Sequence, residues 1–272
     1  MDKALQSMRK IYMVLFLFFC VSEAYAAHPL ITDDTGTQGK GKLQVEVNSE
    51  FTSDKETEDG GVTKETGGEV ATILSYGLID NADIVIGLPY QWHKVKVDGV
   101  VDPEDPAAKT DGISDMSLEV KWRFYEKDGL SLGLKPGITL PTGNENKGLG
   151  NGKASYSLMF ITTKEMEPFA FHLNLGYARN DYKLEADKEA NRKRIWQASL
   201  ASEVEVIKDL KAVANIGIER NPDKTSNTHP AFILGGVIYS ITEKFDIDFG
   251  IKRGLNKPET DYSVLAGITR RF

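Results

Sequence analysis

The residues best placed for chemistry are ionisable side chains at alternate positions. Glu119, Lys121 and Arg123 stand two apart, as do Glu203 and Glu205, and Asp246 and Asp248 precede Lys252. Successive side chains of an extended strand point to opposite faces, so each of these sets shares one face. Lys135 and Arg271 can join them. On the inner wall of a closed sheet, mixed charge can line a water-filled conduit and bias which solutes pass. The same charges can instead pair across the interior and brace a narrow barrel, because ions withdrawn from bulk water need partners or hydration. Both readings stand. They make Glu119, Lys121, Arg123, Lys135, Glu203, Glu205, Asp246 and Asp248 the candidate substrate-contacting residues.

Other chemistries find less support. The four histidines, His28, His93, His172 and His229, include no two at metal-ligand spacing, so no metal site is expected. His172 with Ser155, Ser157 or Ser199 could supply a nucleophile and its base for a barrel lipid hydrolase. Serines are common enough in this chain for such a triple to arise by chance, so no catalytic residue is assigned. Gly143, Gly148, Gly150 and Gly152 lack the Lys-Ser/Thr ending and following helix of a phosphate loop. The acidic stretch from Asp54 to Asp59 lacks calcium-loop spacing and reads as a solvated tip. No cofactor is expected.

The elements that must hold these residues are strands. Ile84, Ile86, Leu88, Tyr90 and Trp92 share a face opposite Gly87, Gln91 and His93. Met116, Leu118, Val120, Trp122 and Phe124 oppose the set around Lys121. The same alternation runs through 169–177, 245–252 and 262–272. Weaker strands are expected at 42–52, 68–78, 130–141, 153–163, 194–206, 210–220 and 230–240. Connections alternate between long ones (near 53–67, 98–112, 142–152, 183–193, 221–229 and 253–260) and short ones (near 79–82, 126–129, 164–168, 207–209 and 241–244). That asymmetry, with Trp and Tyr near strand ends, describes an all-β, antiparallel up-and-down transmembrane barrel of about 12 strands in an outer membrane. Pro89 and Pro136 fall mid-strand, where each removes a ladder donor, so bulges or an inward fold are expected there.

The N-terminus sets the compartment. Lys3, Arg9 and Lys10 precede the apolar run of eleven from Ile11 to Val21, and Ala24-Tyr25-Ala26 follows. This is the pattern of a secretory signal peptide cut ahead of Ala27, and the run is too short to span as a helix. Residues 1–26 are expected to be removed, residues 27–41 to form a periplasmic segment or a plug in the lumen, and 42–272 to form the barrel. The only cysteine, Cys20, leaves with the leader. The whole chain carries −7, and the mature part −8. A net acidic chain without basic blocks excludes nucleic acid as an expected partner. The expected partners are outer-membrane lipid, a small-molecule cargo, and the barrel-assembly machinery, engaged through a last strand ending in Phe272.

Several longer stretches resemble a known family. HPLITDDTGTQGKGKLQVE at 28–46, YGLIDNADIVIGLPY at 76–90, GISDMSLEVKWRFY at 112–125, PGITLPTGNENKGLGNG at 136–152 and the terminal AGITRRF are similar to the outer-membrane family labelled "putative MetA-pathway of phenol degradation". That resemblance implies a transporter-like barrel of a Gram-negative outer membrane, moving small compounds, aromatic ones among them, with no catalytic residues. The charge-rich lumen also suits polar or ionic solutes. The resulting expectation is a passive channel or facilitator for uptake or efflux of small molecules. The competing reading is a non-conducting structural or surface-interaction barrel.

Overall fold

The computed structural model describes residues 28–58, 61–97 and 109–272. The expected leader, with Cys20, lies outside the described residues. Thirteen antiparallel strands account for most of the rest. They are β1 (Leu43–Glu58), β2 (Gly61–Ile79), β3 (Ala82–Val97), β4 (Lys109–Ile113) and β5 (Met116–Lys127). Next come β6 (Leu130–Leu140), β7 (Ser155–Met166), β8 (Phe169–Arg179) and β9 (Arg194–Ile207). The last four are β10 (Leu210–Glu219), β11 (Ala231–Thr242), β12 (Phe245–Gly254) and β13 (Tyr262–Arg271). A short α-helix, α1 (Glu185–Ala190), interrupts the loop between β8 and β9, and a 3-10 turn at Glu145–Lys147 lies between β6 and β7.

Twelve of these strands close into a barrel, each hydrogen-bonded to its sequence neighbours, and β13 returns to β1 from Gln44–Arg271 to Ser53–Tyr262. Closure satisfies every strand edge, which a bilayer demands because hydrocarbon offers no hydrogen bonds. The final residue completes the seam: Phe272 N–H donates to Leu43 O at 2.9 Å. Deleting Phe272 is therefore expected to leave unassembled protein in the periplasm, read by fractionation; normal insertion would refute that role.

Alternation explains which side chains face where. On β8 and β12 every second residue is buried, while Leu173, Leu175, Phe249 and Ile251 are exposed on the outside. An exposed apolar belt of this kind needs lipid. Aromatics cluster at its two rims, with Tyr156, Tyr177, Trp196 and Tyr262 at one and Trp122, Phe124, Phe169 and Phe272 at the other. Arg270 lies over the Phe272 ring at 5.7 Å, so the cation reaches the rim while its stem covers an apolar surface.

All five short connections are two-residue turns at the same end. In Asp128-Gly129 both residues have positive φ, 52° and 70°, the twist that joins right-twisted strands tightly. At the other end the expected long loop at 53–67 is mostly strand: β1 and β2 continue as a paired hairpin through Asp54–Glu65 and Lys55–Lys64. The expected loop at 98–112 ends in β4, and the strand expected over 114–125 is divided. β4 pairs with the outer half of β3 (Tyr90–Ile113 to Lys94–Lys109), whereas β5 pairs with its inner half (Ala82–Trp122 to Gly87–Ser117).

The two awkward prolines explain this division. Pro89 lies where β3 passes from β5 to β4, and its carbonyl accepts from Ser114 N–H at 3.0 Å. Pro136 lies where the β5–β6 ladder skips from Glu119–Gly137 to Trp122–Leu134. Each missing donor coincides with an interruption beside β5, so that strand is the least tethered part of the wall.

Candidate functional site

The lumen is occupied by the chain's own N-terminal segment. Residues 28–42 enter beside β12 and β13, cross the inner half of the barrel and leave at the rim beside β2. His28 Nδ1 lies 2.5 Å from Asp248 Oδ1. Pro29 is fully buried against Gly236 and Gly250, where a Cβ would stand 2.7 Å from the proline ring. Leu30 packs on Val213 and Ile238. Asn215 Oδ1 then accepts from the backbone N–H groups of Ile31 and Thr32, at 2.8 and 3.0 Å. Of the two paths open to this segment from sequence, plug and periplasmic rim, it takes the first.

The strongest electrostatic contact is at the middle of the plug. Asp33 receives Lys121 Nζ at 2.8 Å and Lys135 Nζ at 2.9 Å; Lys121 also reaches Asp34 at 3.0 Å, and Lys135 reaches Glu119 at 3.1 Å. Burial opposes ionisation of Asp33, but the two lysine charges outweigh it and hold the carboxyl below the usual carboxylate range. Burial pushes the Asp34 carboxyl up. Beyond this knot, Thr35 N–H donates to Thr163 Oγ1 at 3.1 Å and Gln38 N–H to Asp83 at 2.9 Å. Close backbone approach ends the path: Gly41 N–H donates to Gly77 O at 2.8 Å, with Gly39 and Gly41 at positive φ.

The expected lumen residues thus divide. Lys121, Lys135, Glu119 and Asp248 face inward and are bound up with the plug or with each other. Asp246 pairs with Arg271 at 2.6 Å, and Glu203 with Lys211 at 3.0 Å. Arg123 pairs with Glu126 at 3.2 Å close to the turn end. Glu205 is a correction. It keeps the ladder register of Glu203 and pairs with Lys211, but it lies at the turn end of β9, exposed, where its carboxylate accepts from Asp209 N–H at 3.3 Å instead of lining the lumen. Bracing therefore accounts for most of these charges.

His172 does not meet the serines proposed for it. Its Nδ1 lies 3.0 Å from Thr163 Oγ1 and its Nε2 3.5 Å from Glu203 Oε1, all three residues being buried. Ser199 bonds Thr32 instead, at 2.8 Å. A Thr–His–Glu row sealed behind the plug offers no room for an ester.

The open space lies on the outer side of the plug. A cavity of about 590 Å³ is bounded by wall residues Leu88, Pro89 and Ser114 and by Gly148–Asn151 and Tyr182 from the loops. Its wall side coincides with the parting of β3 and β5. The segment 141–154 bends inward to cover that parting. Thr142 Oγ1 donates to Ser114 O at 3.0 Å and accepts from Met116 N–H at 2.8 Å. Asp115 accepts from the N–H groups of Gly143 and Asn151 at 2.9 and 2.8 Å. Side chains here replace missing ladder bonds, and this gives Leu-Pro-Thr-Gly at 140–143 its physical role.

A closed twelve-stranded barrel with a lipid-facing belt and a plugged lumen is the architecture of outer-membrane barrel proteins. A family profile described as "putative MetA-pathway of phenol degradation" matches residues 28–272, and the chain belongs to that family. Among solved structures, the fold is shared with an outer membrane channel from Pseudomonas putida F1, at a TM-score of 0.67 and 16% identity over 88% of this chain and 98% of that one. It is shared also with the KdgM porin (TM-score 0.52, 7% identity, 84% of this chain and 99% of that one). The Ralstonia pickettii toluene transporter TbuX gives a TM-score of 0.51 at 9% identity, over 86% of this chain and 90% of that one. Among curated proteins none matches.

Proposed function

We propose that this protein is an outer-membrane channel for small molecules of aromatic size, which enter the outer cavity and leave sideways where β3 and β5 part. The observation that carries this reading is the coincidence of three features: a plug bonded to both sides of the inner lumen, a cavity directly outside it, and a wall interrupted at that level. The cavity, about 590 Å³, falls within the range of roughly 300–1,000 Å³ usual for small-molecule sites. Its lining sets Leu88, Pro89, Ile73 and Leu149 beside hydroxyl and amide groups and the carboxylates of Glu69, Asp115 and Asp187, which suits a ring that carries polar substituents. Family membership and the shared fold with a toluene transporter support the same class of cargo. No energy-coupling element is proposed; movement follows the gradient.

The test is uptake of a labelled single-ring aromatic by cells that do or do not express the protein, paired with Asp115→Ala. Expression is expected to raise the initial rate, and Asp115→Ala to raise it further by freeing the covering segment. Equal rates with and without the protein would overturn the channel reading in favour of a non-conducting barrel.

A further inference from the structure

The outward face of β1–β4 changes character with height. The ladder sets Phe51, Gly68, Trp92 and Asp111 in one row, and the rings of Phe51 and Trp92 lie 5.4 Å apart over the glycine. Two residues further from the membrane centre, Lys94 stands opposite Lys109. Two residues beyond Lys94, Lys96 stands opposite Lys64, which also faces Lys55. Residues two apart on a strand share a face, so all five lysines point the same way as the rings beneath them. The acids at alternate positions, Asp54, Glu56 and Glu65, take the other face. Among the described residues of these four strands, Asp111 is the one outward carboxylate, and it accepts from Tyr90 O–H at 2.7 Å. None of the five lysines forms an ion pair with a described residue. The far side of the barrel repeats the layering: Arg179 stands opposite Arg194, two residues above the Tyr177–Trp196 pair.

Like charges set directly opposite each other destabilise a ladder. Here Lys55–Lys64, Lys64–Lys96 and Lys94–Lys109 do so within one patch, in a chain whose net charge is −7. The aromatic row fixes the height of the patch, because rings with one apolar and one wet side belong at the membrane interface. The two lysine rows then stand about 7 and 13 Å further along the strands, at headgroup level. We infer that this outward face of β1–β4 is a docking surface for the phosphates of an outer-leaflet lipid whose headgroup carries at least two of them. An ammonium binds phosphate as a point charge, while its four-carbon stem lies along the apolar surface below. A single phosphodiester brings one negative charge and leaves most of the cations facing one another. A diphosphorylated headgroup answers both rows at once. The repulsion within the patch is thereby relieved only when the lipid is in place, and the attraction weakens with salt as any exposed pairing does.

The experiment uses the folded barrel in a neutral detergent and counts bound lipid by native mass spectrometry. The probes are lipid A, which carries two phosphates, the same lipid stripped of both, and phosphatidylglycerol. Lipid A is expected to bind the unaltered barrel about tenfold more tightly, or better, than the stripped form. Lys55→Gln with Lys64→Gln and Lys96→Gln should erase about that factor. The same change at Lys127, Lys208 and Lys244, exposed at the short-turn end, should leave binding as it was. Heat-modified gel mobility confirms that each variant is folded. Equal binding of lipid A and its stripped form by the unaltered barrel would overturn the inference without recourse to any variant. An equal loss in the turn-end variant would also overturn it, by assigning the effect to overall charge. Phosphatidylglycerol bound as tightly as lipid A would overturn the requirement for two phosphates. Lipid binding does not depend on transport, so this test can fail while the channel reading holds, and the reverse.

Discussion

Deleting residues 28–40 is expected to turn a barrel of low, intermittent conductance into one with a large steady current in a planar bilayer. The segment spans the inner lumen from Asp248 on β12 to Gly77 on β2. Asp33→Asn should give an intermediate phenotype. It removes charge-assisted hydrogen bonds from Lys121 and Lys135, each worth about 1.5–3 kcal/mol. Lys121 retains Asp34 and Lys135 retains Glu119, so part of the loss is offset. A net change of about 2–3 kcal/mol means undocking roughly 30- to 150-fold more frequent, visible as longer and more numerous open events. A folded deletion variant with unchanged conductance would show that the plug is not the barrier to ions.

The second large effect concerns the outer face. Ile268 is 45% exposed, pairs with Val47 and Ile247, and lies two residues inside the rim on β13. Ile268→Arg is expected to destabilise the barrel by about 1–3 kcal/mol, between the cost of a cation at the interface and at the bilayer midplane. Reversible urea unfolding in lipid vesicles measures it. Leu134→Arg on β6 should behave alike. Two residues on, Arg270 is tolerated because it already lies at the rim over Phe272. Changes near zero at both sites would mean that the inside and outside faces have been exchanged.

The barrel was largely legible in the sequence because a membrane enforces a two-residue period wherever lipid meets one face. Where lipid ends, the signal ends too. Residues 53–58 and 61–67 form strand, yet both faces of that hairpin meet water, so Asp54, Lys55, Lys64 and Glu65 carry no apolar alternation to read. β4 has five residues, too few to show a period. The charged wall residues were found, but their partners Asp33 and Asp34 come from a segment with no regular spacing, and only the folded lumen brings them to Lys121. Glu205 shares the alternation of Glu203, but alternation tells the face and not the height, and Glu205 stands at the exposed turn end. Nothing in the spacing around Asn215 marks it as the residue that holds Ile31 and Thr32. The inward glycines did leave a signal: Gly236 and Gly250 within strands mean that another backbone comes close.

The interrupted wall also determines how the barrel sits in its bilayer. Hydrocarbon cannot solvate an unpaired backbone group, so the level of Pro89 and Ser114 belongs among lipid headgroups. On β5 the exposed apolar stretch then runs from Leu118 to Tyr125, about 23 Å along a strand at roughly 3.3 Å per residue, and strand tilt shortens its height further. The usual apolar band of such barrels is about 25 Å tall. The membrane must therefore thin beside β5 to avoid a hydrophobic mismatch, at a modest cost per ångström. Lipid packing would be loosest at the one place where a molecule leaving sideways enters the outer leaflet.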